Sequence, residues 1–144
     1  MPKIFGTNLL GIVLATLAFY MVGFLIYGIL FGEAWMDYAG MTEADANARN
    51  AELGAMMFVW GLVITLVQVL GISYVLQQAG ASVLGTCAKI GAILATCFAL
   101  PVMAYNWLYQ GSSINLLGLD FAHLLLGYVL AASVMSFFRG AENA

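Results

Sequence analysis

Charge is the first thing this sequence lacks. Its 144 residues hold four lysines and arginines, seven aspartates and glutamates, and a single histidine. Charged residues make up 8% of the chain, against roughly 25% in a soluble domain. There is no basic stretch, which argues against nucleic-acid binding. Cysteine is nearly as scarce. Cys87 and Cys97 stand ten residues apart in one apolar segment. That is about 15 Å of helical rise, too far for a disulfide between them. No Cys/His cluster has metal-ligand spacing, and one histidine is a poor basis for a metal or haem site. Neither metal nor cofactor is therefore expected. Nucleophile elbows, phosphate loops, zinc motifs and dinucleotide fingerprints are all missing. The sequence points away from an enzyme.

What the sequence has instead is apolar length. Hydrophobic residues make up 64% of it, enough to leave large sticky patches if water surrounded the chain. Lipid is the natural solvent. A spanning helix needs about 20 mostly apolar residues, and four stretches qualify: about 8–31, 55–76, 84–108 and 114–138. The first run is too long for a signal-peptide core and is read as a retained span. Unbroken runs without period-two alternation select helices over a barrel. The expected fold is all-α: a single domain, 1–144, forming a polytopic transmembrane bundle of four helices.

The connections divide into one long and two short. Residues 31–52 form the polar loop, carrying Glu33, Asp37, Glu43, Asp45 and Glu52 against Arg49. Thr42 followed by Asp45 is a capping-box variant, so a short amphipathic helix should follow it in this first outer loop. The five carboxylates are read as a solvated surface, with divalent binding as the alternative. "QQAGAS" (77–82) and "YQGSS" (109–113) are tight turns that set neighbouring helices antiparallel. Lys3, Lys89 and Arg139 fall on one side of this layout and Arg49 on the other. Positive charge therefore places both termini in the cytoplasm of a bacterial inner membrane.

The polar residues inside the spans are the candidate site. Asp120 and His123 sit three apart in "LGLDFAHLLLGYVL" (117–130) and share a helix face. They lie about 9 and 13 Å below the start of their span. A charge there is costly and should face the bundle interior. Asn106, ending the third span at similar depth, is the expected hydrogen-bond partner of Asp120. Gln68, deep in the second span, needs a partner too. The cluster is either a clasp between helices or a proton, ion or ligand site. Tyr105, Trp107 and Tyr109 suit an interfacial belt, and Lys89 can snorkel to the headgroups. Gly28 and Gly32 form a GxxxG, and Gly91, Ala95 and Ala99 repeat small residues at helical spacing, so both sets are expected as packing seams. Pro101 should kink the third span.

The stretches "YGILFGEAWMDYAGMTEAD" (27–45) and "PVMAYNWLYQGSSINLLGLDFAHLLLGYVL" (101–130) resemble a family of small bacterial membrane proteins of unknown function. The shared features are Asn8, the aromatic–glycine stretch from Tyr27 to Trp35, Asn106, and the pair Asp120 and His123. The resemblance implies four spans and supplies no substrate, cofactor or mechanism. Three function classes remain, in this order. The first is a non-enzymatic structural or accessory component, as a homo-oligomer or a subunit of a larger membrane complex. The second is a small channel or transporter using the Asp/His/Asn cluster. The third is a pigment-, haem- or lipid-binding membrane protein.

Overall fold

The computed structural model describes residues 2–140. A minimal hairpin opens the chain, with β1 (Lys3–Ile4) antiparallel to β2 (Thr7–Asn8). Phe5 and Gly6 turn it, both at positive φ (49° and 75°), as a two-residue hairpin turn of this hand requires. The sequence patterns gave no sign of this hairpin, because two-residue strands carry no periodicity. Asn8 then caps α1 (Leu9–Gly23), its side chain accepting from the Gly11 amide at 2.8 Å.

The first span continues past α1 as a π-helix, Phe24–Leu30, so that the apolar helix runs Leu9–Leu30. Phe31 (φ −133°) breaks it. The long loop folds into α2 (Gly32–Tyr38) and α3 (Glu43–Leu53). Thr42 and Asp45 cap α3 reciprocally: the Asp45 amide donates to Thr42 Oγ1 at 3.2 Å, and the Thr42 amide donates to Asp45 Oδ2 at 2.9 Å. Gly54 (φ 53°) ends α3 and separates it from α4 (Met56–Gln78).

The third span, Leu84–Gln110, is α5 (Leu84–Leu94), a π-turn segment Ala95–Ala99, and α6 (Leu100–Gln110). Pro101 has no amide to offer Cys97 four residues back, and the wide turn precedes it, with Leu100 N donating to Ala95 O. The last span is α7 (Ile114–Ser136), capped by Ser113. All four spans are long and apolar enough to cross a membrane, and the chain is an all-α, multi-pass membrane protein.

Short turns make successive spans antiparallel, so the helices have a terminal end and a loop end. The core lies toward the terminal end: Ile12, Phe19, Val69, Leu76, Ala131 and Met135 are fully covered. Close approach there depends on missing side chains. At Gly91 a Cβ would stand 2.6 Å from the Tyr128 carbonyl oxygen, and at Gly127 it would overlap the Phe19 ring. Ala95 is fully buried and Ala99 partly so.

A buried arginine closes this end. Arg139 Nε donates to Ala81 O (2.8 Å), and Nη1 to Thr7 Oγ1 (2.7 Å) and Phe5 O (3.0 Å). Thr7 and Ser73 share a hydrogen bond of 2.8 Å. The first hairpin, the turn after α4 and the end of α7 are thus joined through one side chain. From the sequence Arg139 counts only as a topological charge, whereas folded it is 9% exposed.

Candidate functional site: a tyrosine between aspartate and histidine

Toward the loop end the helices separate. α1 and α4 touch there through Tyr20, whose hydroxyl donates to Phe58 O at 3.2 Å beside Gly61. Beyond that contact the first span is a π-helix. Its extra residue per turn shifts the side-chain register, and Tyr27 lies within it.

Tyr27 is the centre of the polar cluster. Its hydroxyl donates to Asp120 Oδ1 at 2.7 Å and lies 3.3 Å from His123 Nδ1. The Tyr27 and His123 rings meet edge to face, with centroids 5.0 Å apart. Trp35, on α2, packs against the other side of Tyr27 at 5.8 Å. Phe19 touches His123 from below at 5.6 Å. Gly23 makes room for the imidazole, since a Cβ there would stand 3.0 Å from Nε2.

The pair Asp120 and His123 therefore shares one polar pocket, but its partner is not the one anticipated. Asn106 is exposed on α6 and its side chain makes no hydrogen bond among the described residues. Tyr27 takes the role assigned to it. The two candidates end spans that both pack against α7, at similar depth, and depth does not reveal which way a helix is rotated. Gln68 is half-buried and faces a cavity. Gly28 and Gly32 also differ from expectation. The break at Phe31 puts them in different helices, so they cannot form one seam. Gly28 lines cavities, and a Cβ on Gly32 would stand 2.7 Å from the Tyr27 carbonyl oxygen of the preceding π-helix.

Two cavities meet at the cluster. The larger, about 820 Å³, is lined by Tyr27, Trp35, Met57, Met103, Asp120 and His123, with Ala46, Arg49 and Asn50 of α3 over it. Those three share a face of α3, at i, i+3 and i+4. The second, about 550 Å³, runs deeper past Phe24, Gly61, Ile64 and Gln68. Tyr27, Gly28, Met57, Phe58 and His123 line both. Polar groups converging in an apolar cavity of this size are the ordinary form of a small-molecule site.

The carboxylates of the acidic loop are dispersed. Glu33, Asp37, Glu43, Asp45 and Glu52 are all exposed, and no group of three possible ligands converges among the described residues. Asp45 serves the α3 cap, and hydrogen bonds from Thr42 hold its carboxyl below the usual carboxylate range. Glu52 accepts from Arg49 Nη1 at 2.9 Å.

The family described as "Protein of unknown function (DUF1761)" matches this chain over residues 10–136. No curated protein and no solved structure matches it.

Proposed function

This chain belongs to the DUF1761 family of proteins of unknown function, and we propose that it is a non-enzymatic membrane protein that binds a small lipophilic molecule at its loop end. One observation carries the reading: the Tyr27 hydroxyl bridges Asp120 and His123 on the wall common to two apolar cavities. A clasp between helices would need the hydrogen bonds but not the space. Here the polar groups border roughly the volume of a drug-sized ligand, and Met41, Met57 and Met103 give adaptable walls. The polar cluster lies at the loop end of the spans, with the loop helices over its larger cavity.

Mild-detergent purification followed by extraction and mass spectrometry tests this. Wild-type protein is expected to carry a compound enriched over bulk lipid. Gly28→Leu fills the wall of both cavities where only the Phe24 ring stands near, at 3.6 Å, and should lose that compound. Identical lipid profiles in the two proteins would end the proposal.

A second reading, a subunit of a larger complex, draws on α6, which buries none of its residues within the chain. Cross-linking through a cysteine at Val102 checks it: a discrete adduct supports a partner on this face, and none in native membranes argues for lipid alone. For either reading we propose a bacterial cytoplasmic membrane with both termini inside, from Lys3, Lys89 and Arg139 at one end and Arg49 at the other. A cysteine in the 33–52 loop should label from outside the cell, and labelling only after permeabilisation would reverse the orientation.

A further inference from the structure

The charges around the larger cavity restrict what it can hold. Asp120, His123 and Arg49 are the charged or readily titratable side chains on its wall, with Tyr27 the phenol. Arg49 is already paired with Glu52 and its side chain is 59% exposed, so its charge is largely answered and screened. Asp120 is answered by less. One carboxylate oxygen accepts the Tyr27 hydroxyl, and the described residues give the other oxygen no hydrogen bond. No described buried side-chain oxygen or nitrogen lacks a partner, so that second oxygen is not sealed in and is free to meet an occupant. His123 forms no ion pair with Asp120 within 4.0 Å. The loop above adds Glu33, Asp37, Glu43 and Asp45 to Glu52. Carboxylates thus outnumber cations in the loop, and at the wall Asp120 is the charge without a charged partner, since Arg49 is paired with Glu52.

The walls complement this sign. Tyr27 and Trp35 stand edge to face, 5.8 Å between centroids, and Phe58 lines both cavities. Aromatic faces attract cations within about 6 Å, more strongly where water is excluded. An anion would meet Asp120 and the acidic rim. A neutral molecule could at most donate a hydrogen bond to the second Asp120 oxygen and would bring no countercharge.

We propose that the occupant is a lipophilic organic cation, an amine or a quaternary onium ion. Its charge sits by Asp120 against the Tyr27 and Trp35 rings, and its apolar body extends toward Gln68. This rests on the binding reading above and names the class of ligand. The full-length protein in phosphatidylcholine nanodiscs is titrated with tetraphenylphosphonium, and with tetraphenylborate as a similarly shaped anion, each corrected for empty discs. The expected result is saturable binding of the phosphonium and none of the borate. Asp120→Asn should weaken the phosphonium at least tenfold and Trp35→Ala severalfold. Trp35→Ala decides the matter if Asp120→Asn fails to fold. Equal binding of both ions, no saturable phosphonium binding, or no change in either variant overturns the inference. If the phosphonium fails while a neutral compound co-purifies and is lost in Gly28→Leu, the cation class falls alone. If nothing co-purifies either, the binding reading falls with it.

Discussion

The two ends of the same four helices are built differently. At the terminal end, glycines and alanines bring α1, α5 and α7 close, the core side chains are fully covered, and Arg139 joins three segments by hydrogen bonds. At the loop end, Ile26 is the one large apolar side chain of the first span's π-helix that is buried, and cavities of about 820 and 550 Å³ replace a core. Mean hydropathy does not distinguish the ends, since all four spans are apolar enough to cross a membrane. Side-chain size and helix register do. Small residues let backbones approach at one end, while aromatic residues and a π-helix hold them apart at the other. The packed end can carry the stability of the fold, which leaves the open end free to hold polar groups that would weaken a core.

The sharpest way to break this contrast is at the knot. Arg139→Met removes several hydrogen bonds from a buried charged group and strands the hydroxyls and carbonyls it serves. The expected loss is at least about 3 kcal/mol, seen as a drop of roughly 10 °C in the detergent-solubilised melting temperature. Next comes Gly127→Ala, which drives a methyl into the Phe19 ring. Overpacking of this kind costs about 1–3 kcal/mol, measured by the same melt. At the open end, Tyr27→Phe deletes the bridge to Asp120. One partly exposed hydrogen bond is worth about 0.5–1.5 kcal/mol, so the melt should move little while ligand binding falls sharply. If Tyr27→Phe destabilises as much as Arg139→Met, the open end is a structural clasp and the contrast fails.

The smallest effect is expected on α3. Its cap depends on ionised Asp45, whose carboxyl Thr42 holds below the ordinary value of 3.8. A depressed folded value contributes helix stability above 3.8 that is lost as pH falls through the lowered value. Protection of the α3 amides, taken relative to an unstructured chain at the same pH, should therefore fall severalfold below pH 4, and Thr42→Ala should lower it at neutral pH, with the global melt unchanged. Exchange insensitive to both would show that the cap does not hold α3 in place.

Much of the frame was legible in the sequence. Hydropathy located the four spans within about two residues of their ends, because lipid leaves helices few alternatives. The Thr42–Asp45 cap was legible because it is local, as was the turn at Gly111. The partner of Asp120 was not. Tyr27 and Asn106 lie at comparable depths, and choosing between them requires the rotation of two helices. A π-helix changes that rotation by inserting one residue, with no composition to mark it. Arg139 shows the same limit. In the sequence it reads only as a charge that sets topology, and only the distant hairpin and the turn at Ala81 reveal that it is enclosed.

That enclosure also sets an order of events. The hydrogen bond from Arg139 to Thr7 joins residues 132 positions apart, so it cannot form while the later spans are still being synthesised. The Ala81 carbonyl and the Thr7–Ser73 pair must wait for their arginine until α7 has emerged and turned back to meet them. Insertion of the spans and closure of the terminal end are therefore separate steps in the biogenesis of this protein. A chain stopped just before Arg139 would have all four helices in the membrane and yet remain unlatched.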